Sequence, residues 1–577
     1  MSFLSRIMVV KSKAHFSAGG NRAPGAFEGT RKKKQSQTKS RLVIMMSAFV
    51  MAYGVIGGRL VQFGVTSPEE VSSIPPADRL MASRPDILDR NGEVLATDVR
   101  TVSLYAEPHK IVDVDEAVEL LNSVLPDLDV KGTYKKLSSK SHFQWLRRQL
   151  TPKQQNQILA LGIPGIGFRP EKRRFYPGGP TASHIIGHVN IDNRGIAGME
   201  KYIDGQGLAD LAAVGMTSNA PLEPVRLSID LRVQNILREE LVAAKDRYHA
   251  LAAGGVVLNI HTGEVLAMAS IPDYDPNNPV QALEKDNMNR MSAGTFEMGS
   301  TFKTFTTAMA LDSGKVKLSD SFDARNSITI GGFTIHDFHA KHRILSVPEI
   351  FIYSSNVGTA RMADLVGIEA HKHFLTRMGL LSRMQTELPE VATPTQPKVW
   401  KKINSITISF GHGVSTTPLQ TAVAAAALMN GGKLIPPTFL PRTEEQADQV
   451  AEQVVKPSTV EDMKTLFRMN VTNGSGKSAE VPGFVVGGKT GTAEKVVNGR
   501  YSSDQRFNAF LSAFPIDKPE YIVLVVVDNP QPEKPGMGAT AGSNAAPTVG
   551  KVISRTAALL GVKPKFGPDG NALLMSY

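Results

Sequence analysis

Three short segments carry side chains that could act together on a carbonyl group. Ser300-Thr301-Phe302-Lys303 offers a hydroxyl and an amine three residues apart, at the head of a run that continues through Met309 and Leu311. On a helix that spacing puts both groups on one face. A serine hydroxyl attacks efficiently only if a base takes its proton, and lysine is a base only when uncharged, a state that burial and a neighbouring cation both favour. If Ser300 opens the helix, free backbone N–H groups and the helix dipole also stabilise the charge that develops in acyl transfer. Ser354-Ser355-Asn356 supplies a second hydroxyl, suited to relaying a proton to a leaving amine, and an amide suited to holding a peptide backbone. Lys489-Thr490-Gly491-Thr492 follows Val485-Val486-Gly487-Gly488 and reads as a strand with little bulk, open to an extended peptide by β-augmentation. Its lysine and hydroxyls suit a carboxylate terminus, and the lysine charge helps keep Lys303 neutral. One triplet alone carries no weight, since Ser36-Gln37-Thr38-Lys39 matches the first by chance. All three in this order, on helix, loop and strand, point to serine acyl transfer.

The elements that must position these groups are legible around them. Arg232 to Ala244 reads as an amphipathic helix, and Gly255 to Ile271 as two β-rich runs about a His261-Thr262-Gly263 turn. Phe507 to Phe514 and Tyr521 to Val527 form a second pair of strand-like runs, joined through Pro515 and Pro519, with mainly helical text between the two pairs. Strands at both ends of a domain with helices between predict an antiparallel sheet covered by helices, over residues 223–560. Residues 66–222 read as a mixed α+β module without a catalytic constellation, a pedestal or docking unit. In it Pro85 to Val94 is extended with a turn at Asn91-Gly92, and Asp115 to Leu125 and Pro152 to Leu161 are helical. Residues 561–577 are a C-terminal tail.

At 577 residues the chain exceeds one ordinary domain. Its net charge of +11 is uneven: Met1 to Arg41 holds ten basic residues against the single acid Glu28, and the remainder is nearly neutral. A nucleic-acid footprint needs basic residues on a folded face, so that partner is excluded. The absence of cysteine excludes disulfides, thiolate catalysis and Cys-ligated zinc. Leu42 to Gly58 is uncharged and mostly apolar, and the pattern resumes after Arg59 as far as Val65. As a helix it is about 26 to 36 Å long, enough for a hydrocarbon core of about 30 Å. With the basic tail before it and Glu69 and Glu70 after it, the positive-inside rule puts residues 1–41 in the cytoplasm and everything beyond a 42–65 transmembrane helix outside.

The catalytic segments have the form S-x-x-K, S-x-N and K-T-G shared by penicillin-binding proteins and class A β-lactamases. The resemblance extends further. Arg84 to Ala96 (RPDILDRNGEVLA), Arg174 to Gly187 (RFYPGGPTASHIIG) and Gly195 to Glu200 (GIAGME) resemble the N-terminal, dimerisation-type module of class B penicillin-binding proteins. Ile271 to Asn277 (IPDYDPN) and Ser409 to Gln420 (SFGHGVSTTPLQ) resemble their catalytic domain, and SFGHG, TPLQ and KTGTAEK are closest to the cell-division branch. Met298 and Thr304 stand where many relatives carry proline, a departure that touches helix entry. The resemblance implies an α+β fold: a penicillin-binding/β-lactamase-like transpeptidase domain, a pedestal and one transmembrane helix. It implies that Ser300 attacks the bond between the terminal D-alanines of a stem peptide, with Lys303 as base and Ser354 passing the proton to the departing D-alanine. Asn356 then positions the donor peptide, and Lys489, Thr490 and Thr492 hold its carboxylate. The N–H groups of Ser300 and Thr492, beside Gly491, form the oxyanion hole. No cofactor or metal is implied. The implied partners are peptidoglycan stem peptides, β-lactams that acylate Ser300, a membrane-embedded glycan polymerase and other division proteins, at the septum on the periplasmic side of the inner membrane.

Other signals carry less. Gly474-Ser475-Gly476-Lys477-Ser478 has the look of a phosphate-binding loop, but Val471 stands where the first glycine is needed. His336, His339 and His342 lack an accompanying Glu base or fourth ligand, and His412 within SFGHG fits packing as well as a site role. Among rivals, a β-lactamase needs a deacylation base, commonly a Glu with Asn four positions on, and neither Glu387 nor Glu390 has one. An elongation-type transpeptidase and a non-enzymatic β-lactam sensor or division scaffold are the alternatives.

Overall fold

The computed structural model describes residues 45–54, 56, 57, 84–206, 222–497, 499–536 and 538–565. The chain divides into two units, Met1–Pro75 and Pro76–Tyr577. In the first, residues 45–54, 56 and 57 are helical; the rest of the expected span 42–65, like the basic tail 1–41, lies outside the described residues. No helix among the described residues is long and apolar enough to cross a membrane. Most of the expected C-terminal tail, 566–577, is also outside them.

The second unit starts with a turn that its sequence dictates. After β1 (Ile87–Leu88) the Asp89 carboxylate accepts from Asn91 N at 2.7 Å, and Gly92, at φ +94°, returns the chain as β2 (Val94–Ala106). Helices α1 (Val114–Val124), α2 (Val130–Leu137) and α3 (Pro152–Ala160) each begin at a side-chain cap, from Asp113, Asp129 and Thr151. Strands β3 (Gln144–Leu150) and β4 (Ile166–Phe175) both pair antiparallel with β2, and Val118 and Leu121 of α1 close a small core over Leu104 and Leu150. Helix α4 (Gly198–Gly205) follows, and β5 (Val225–Arg226) joins β1 in parallel. Three phrases far apart in sequence meet at one carboxylate: buried Glu200 accepts from Arg84 Nε at 2.9 Å and Arg174 Nε at 2.6 Å. Asp98 pairs with Arg174 at 3.2 Å, and Asp204 with Arg84.

Helix α5 (Leu231–Arg247) leads to the hairpin of β6 (Ala252–Asn259) and β7 (Val265–Ile271), whose turn forms because Asn259 Oδ1 accepts from His261 N and Thr262 N. A mainly helical stretch comes next. It holds α6 (Lys303–Asp312), the small hairpin β8 (Ile328–Ile330) and β9 (Phe333–Ile335), α7 (Val347–Ile352) and α8 (Asn356–Val366). Then come α9 (Lys402–Ser409), α10 (Pro418–Ala427) and α11 (Pro457–Asn473). The chain ends with β10 (Gly487–Val497), β11 (Arg500–Phe514), β12 (Tyr521–Asp528) and α12 (Ala545–Thr556).

These strands form one antiparallel sheet in the order β10-β11-β12-β6-β7, so the last strand pairs with the first. Its two faces follow the period-two pattern. Val256, Leu258, Ile522, Leu524 and Val526 face a core shared with α6 and α10, whereas Val257, Val523, Val525 and Val527 face one shared with α5 and α12. The sheet is thus covered by helices on both sides. Strand β11 starts at Arg500, earlier than the apolar run that begins at Phe507, because its polar first part pairs with the end of β10.

Candidate active site

Ser300 sits in a single 3₁₀ turn, Gly299–Phe302, and α6 begins only at Lys303. The sequence left open whether Ser300 opens the α-helix; the tighter turn that holds it has three residues per turn and eclipses positions i and i+3, which sets Ser300 and Lys303 on one side. Ser300 is half-buried, whereas the side chains of Lys303 and Lys489 are enclosed, their residues being 1% and 0% exposed.

Glycines let the third segment reach the first. A Cβ on Gly491 would lie 2.5 Å from Met298 O and 2.9 Å from Thr301 N, and one on Gly299, at φ +51°, would lie 2.8 Å from Thr492 O. Backbone therefore lies against backbone here, which brings the peptide groups of Ser300 and Thr492 to neighbouring positions.

The second segment closes the group. Ser354 joins α7 to α8 at φ +56°, a conformation a non-glycine residue holds only under constraint. Lys303 Nζ donates to Ser354 O at 2.5 Å and lies 3.1 Å from Ser354 Oγ. Lys489 Nζ donates to the same Oγ at 3.0 Å and to Thr490 O at 3.1 Å. One hydroxyl thus lies between two buried amines. Burial, and after it the charge of Lys489, pushes Lys303 well below the ordinary lysine range, opposed by Asp337. Burial also lowers Lys489, to about 7. Burial and the neighbouring cation thus both favour the uncharged amine, the form in which a lysine can act as a base.

Asn356 opens α8 and donates through Nδ2 to His336 O at 3.0 Å. Thr490 Oγ1 is 2.5 Å from Ser475 Oγ, and Thr492 Oγ1 accepts from Ala541 N at 3.1 Å, which leaves the Thr492 proton free to donate.

Several groups here carried no recognisable spacing. Asp337 accepts from Ser355 Oγ at 2.7 Å and from Val357 N at 2.9 Å, and so fixes the N-terminus of α8 on which Asn356 stands. Ser475 lies in the segment with the look of a phosphate loop; Asn470 Oδ1 accepts from Ser475 N, while its Nδ2 holds Gly488 O at 2.7 Å. Glu297 binds His412 Nδ1 at 3.1 Å, accepts from Gly413 N at 2.8 Å and from Tyr501 OH at 3.2 Å. SFGHG is thereby fastened to the residues just before Ser300, and a Cβ on Gly411 would lie 1.9 Å from Gly299 O. Of the other histidines set aside, His342 Nδ1 meets Arg325 O at 3.2 Å and His339 packs edge-on to Phe338.

The family described as penicillin binding protein transpeptidase domain matches residues 253–554, and that described as penicillin-binding protein dimerisation domain matches residues 79–206. A probable peptidoglycan D,D-transpeptidase FtsI from Caulobacter vibrioides is 38% identical over 499 residues, 85% of this chain and 83% of the relative. A probable peptidoglycan D,D-transpeptidase PenA from Neisseria gonorrhoeae is 33% identical over 93% of this chain and 95% of its own. The peptidoglycan D,D-transpeptidase FtsI of Escherichia coli K12 is 29% identical over 91% and 92%. Among solved structures, penicillin binding protein 3 from Mycobacterium tuberculosis, complexed with aztreonam, superposes with a TM-score of 0.64 at 24% identity. It covers 84% of this chain and 98% of that one, and it shares the fold. A family match over residues 253–554, together with a 38% identical relative matched over 85% of the chain, means that the chain belongs to the penicillin-binding protein transpeptidases.

Proposed function

We infer that the protein is a peptidoglycan D,D-transpeptidase of the cell-division type, working through a serine acyl-enzyme. The observation that carries the mechanism is the Ser354 hydroxyl held 3.1 Å from Lys303 Nζ and 3.0 Å from Lys489 Nζ, with both lysines buried. Neutral Lys303 takes the Ser300 proton as Oγ attacks the carbonyl between the two terminal D-alanines of a stem peptide. The oxyanion accepts from the N–H groups of Ser300 and Thr492, which the close approach at Gly299 and Gly491 makes neighbours. As the bond breaks, Ser354 gives its proton to the departing D-alanine amine and takes one from Lys303. An amine of a second stem peptide then attacks the ester by the reverse path. Lys489, Thr490 and Thr492 serve the donor's carboxylate, and Asn356 its backbone. β-Lactams acylate Ser300 by the same first step.

The septal role rests on the SFGHG, TPLQ and KTGTAEK phrases and on relatives named FtsI. The same proposal includes an inner-membrane anchor at 42–65 with the catalytic part on the periplasmic side, a pedestal at 66–222 and a transpeptidase domain at 223–560. A membrane-embedded glycan polymerase and other division proteins are the partners. Ser300→Ala is expected to abolish both labelling by fluorescent penicillin and cross-link formation. Cross-linking that persisted in this variant would reduce the protein to a scaffold. Depletion that rounds cells instead of producing filaments would move it to elongation.

A further inference from the structure

The two glutamates considered above as deacylation bases both have structural partners, and one of them bridges the modules. Glu387 accepts from Thr438 Oγ1 at 2.6 Å and from Phe439 N at 3.0 Å, within the catalytic module. Glu390 reaches out of it. Its carboxylate accepts from Gly198 N at 3.2 Å, the first residue of α4 in the pedestal, whose own N-cap, Ala197, has no side chain that can do this. Glu200, the one acid in the first turn of α4, is already held by Arg84 and Arg174. The N-terminus of this helix is therefore satisfied from across the module boundary.

Both ends of the link are stiff. On the pedestal side a Cβ at Gly187 would lie 1.8 Å from Ala197 O and one at Gly198 would lie 2.6 Å from Gly187 N, so α4 cannot shift without disturbing the chain around Gly187. On the catalytic side Glu390 O accepts from the Ser292 hydroxyl at 2.8 Å, and Ser292 O accepts from Ala392 N at 2.9 Å. Ser292 is buried and lies on the loop that leads to Ser300. Between the two serines the loop is held by Phe296, which pairs in both directions with Thr416 at 2.9 and 3.0 Å and stacks on Phe507, by Glu297, and by the close approach of Met298 and Gly299 to β10 and Gly411, so a displacement at Ser292 is passed on through these contacts.

We propose that Glu390 is a positioning residue for acylation: it fixes the loop that carries Ser300 to the N-terminus of α4, so that the reactivity of the nucleophile depends on how the pedestal helix is seated. Glu390 touches neither substrate nor Ser300, and it acts through Ser292. The inference rests on the acyl-transfer reading of Ser300, which the Ser300→Ala experiment tests separately.

The test compares Glu390→Ala, Glu390→Gln and wild type as full-length protein in detergent, measuring the rate constant of acylation by a fluorescent penicillin, its stoichiometry and amide hydrogen exchange. Glu390→Ala is expected to slow acylation by about ten-fold or more with the stoichiometry of one label per chain retained, since small misplacements of a nucleophile cost that much. Glu390→Gln, which keeps an acceptor for Gly198 N, is expected to recover most of the rate. Exchange is expected to quicken in residues 291–298 and 198–201 of the alanine variant but not in the buried helix α10. Wild-type acylation by Glu390→Ala would overturn the proposal. So would slowing accompanied by faster exchange throughout α10, because that is general loss of the fold.

Discussion

At the scale of single residues, the proposed acyl transfer turns on the charge state of Lys303. Burial, first, and the Lys489 charge, second, hold it well below the usual lysine value. Removing the cation with Lys489→Gln takes away the second cause, so the Lys303 value rises and more of it is protonated at neutral pH. The expected result is a pH profile of penicillin acylation whose rising limb moves to higher pH. Once the limb has passed pH 7, each further unit of displacement costs about ten-fold in rate at pH 7, and raising the pH recovers it. An unshifted limb with a uniformly lower rate would mean that Lys489 serves substrate binding alone. Motif spacing led to Ser300, Lys303, Ser354, Asn356 and Lys489 to Thr492 because each set is local: three residues on one turn, or successive residues of one strand. Asp337, Ser475 and Glu297 were not legible. They reach the site through loops whose paths no periodicity encodes, although Asp337 acts directly on Lys303 and on the cap of α8.

At the scale of elements, what matters is how near β10 comes to the turn before α6. The glycines at 299 and 491 permit that approach, and Gly491→Ala would set a methyl 2.5 Å from Met298 O, against backbone that cannot swing aside as a side chain could. The strand must then retreat from the Ser300 turn and carry the Thr492 N–H with it. The expected loss in acylation rate is on the order of a hundred-fold, the usual effect of losing one oxyanion donor. Circular dichroism and the unfolding midpoint are expected to show a folded protein. Sequence patterning did well on the elements themselves where one face is apolar: the helix expected from Arg232 to Ala244 is α5, Leu231–Arg247, and the runs about His261 are β6 and β7. It failed where pairing alone extends a strand, as over Arg500 to Arg506 in β11. It also missed the 3₁₀ turn at Ser300, since an S-x-x-K spacing is compatible with either helix.

At the scale of the whole second unit, the pedestal and the catalytic sheet are joined by polar contacts from phrases that sequence resemblance had already singled out. Asn277, in IPDYDPN, donates to Tyr176 O at 2.9 Å and accepts from Tyr176 N at 3.0 Å in RFYPGG, while Gln234 Nε2 donates to Thr181 O at 2.8 Å. Behind them Arg84, Arg174 and Glu200 make one buried group of two cations about a shared carboxylate, with Asp98 pairing Arg174 and Asp204 pairing Arg84 on its outer sides. A pattern of apolar periods cannot reveal this network, because its members are charged and far apart in the chain. Its energetics are asymmetric: the intact set adds little over a well-packed apolar one, but removing one member strands the others in the interior. Glu200→Ala leaves two guanidinium groups with one fewer carboxylate between them, at a cost of about 3–5 kcal/mol. The expected outcome is a lowered unfolding midpoint in urea. Exchange should quicken first in α4 and in the β1–β2 turn, while Glu200→Gln, which keeps the shape but not the charge, should fall nearly as far. If the glutamine variant instead matched the wild type, shape and not charge would hold these segments of the pedestal together.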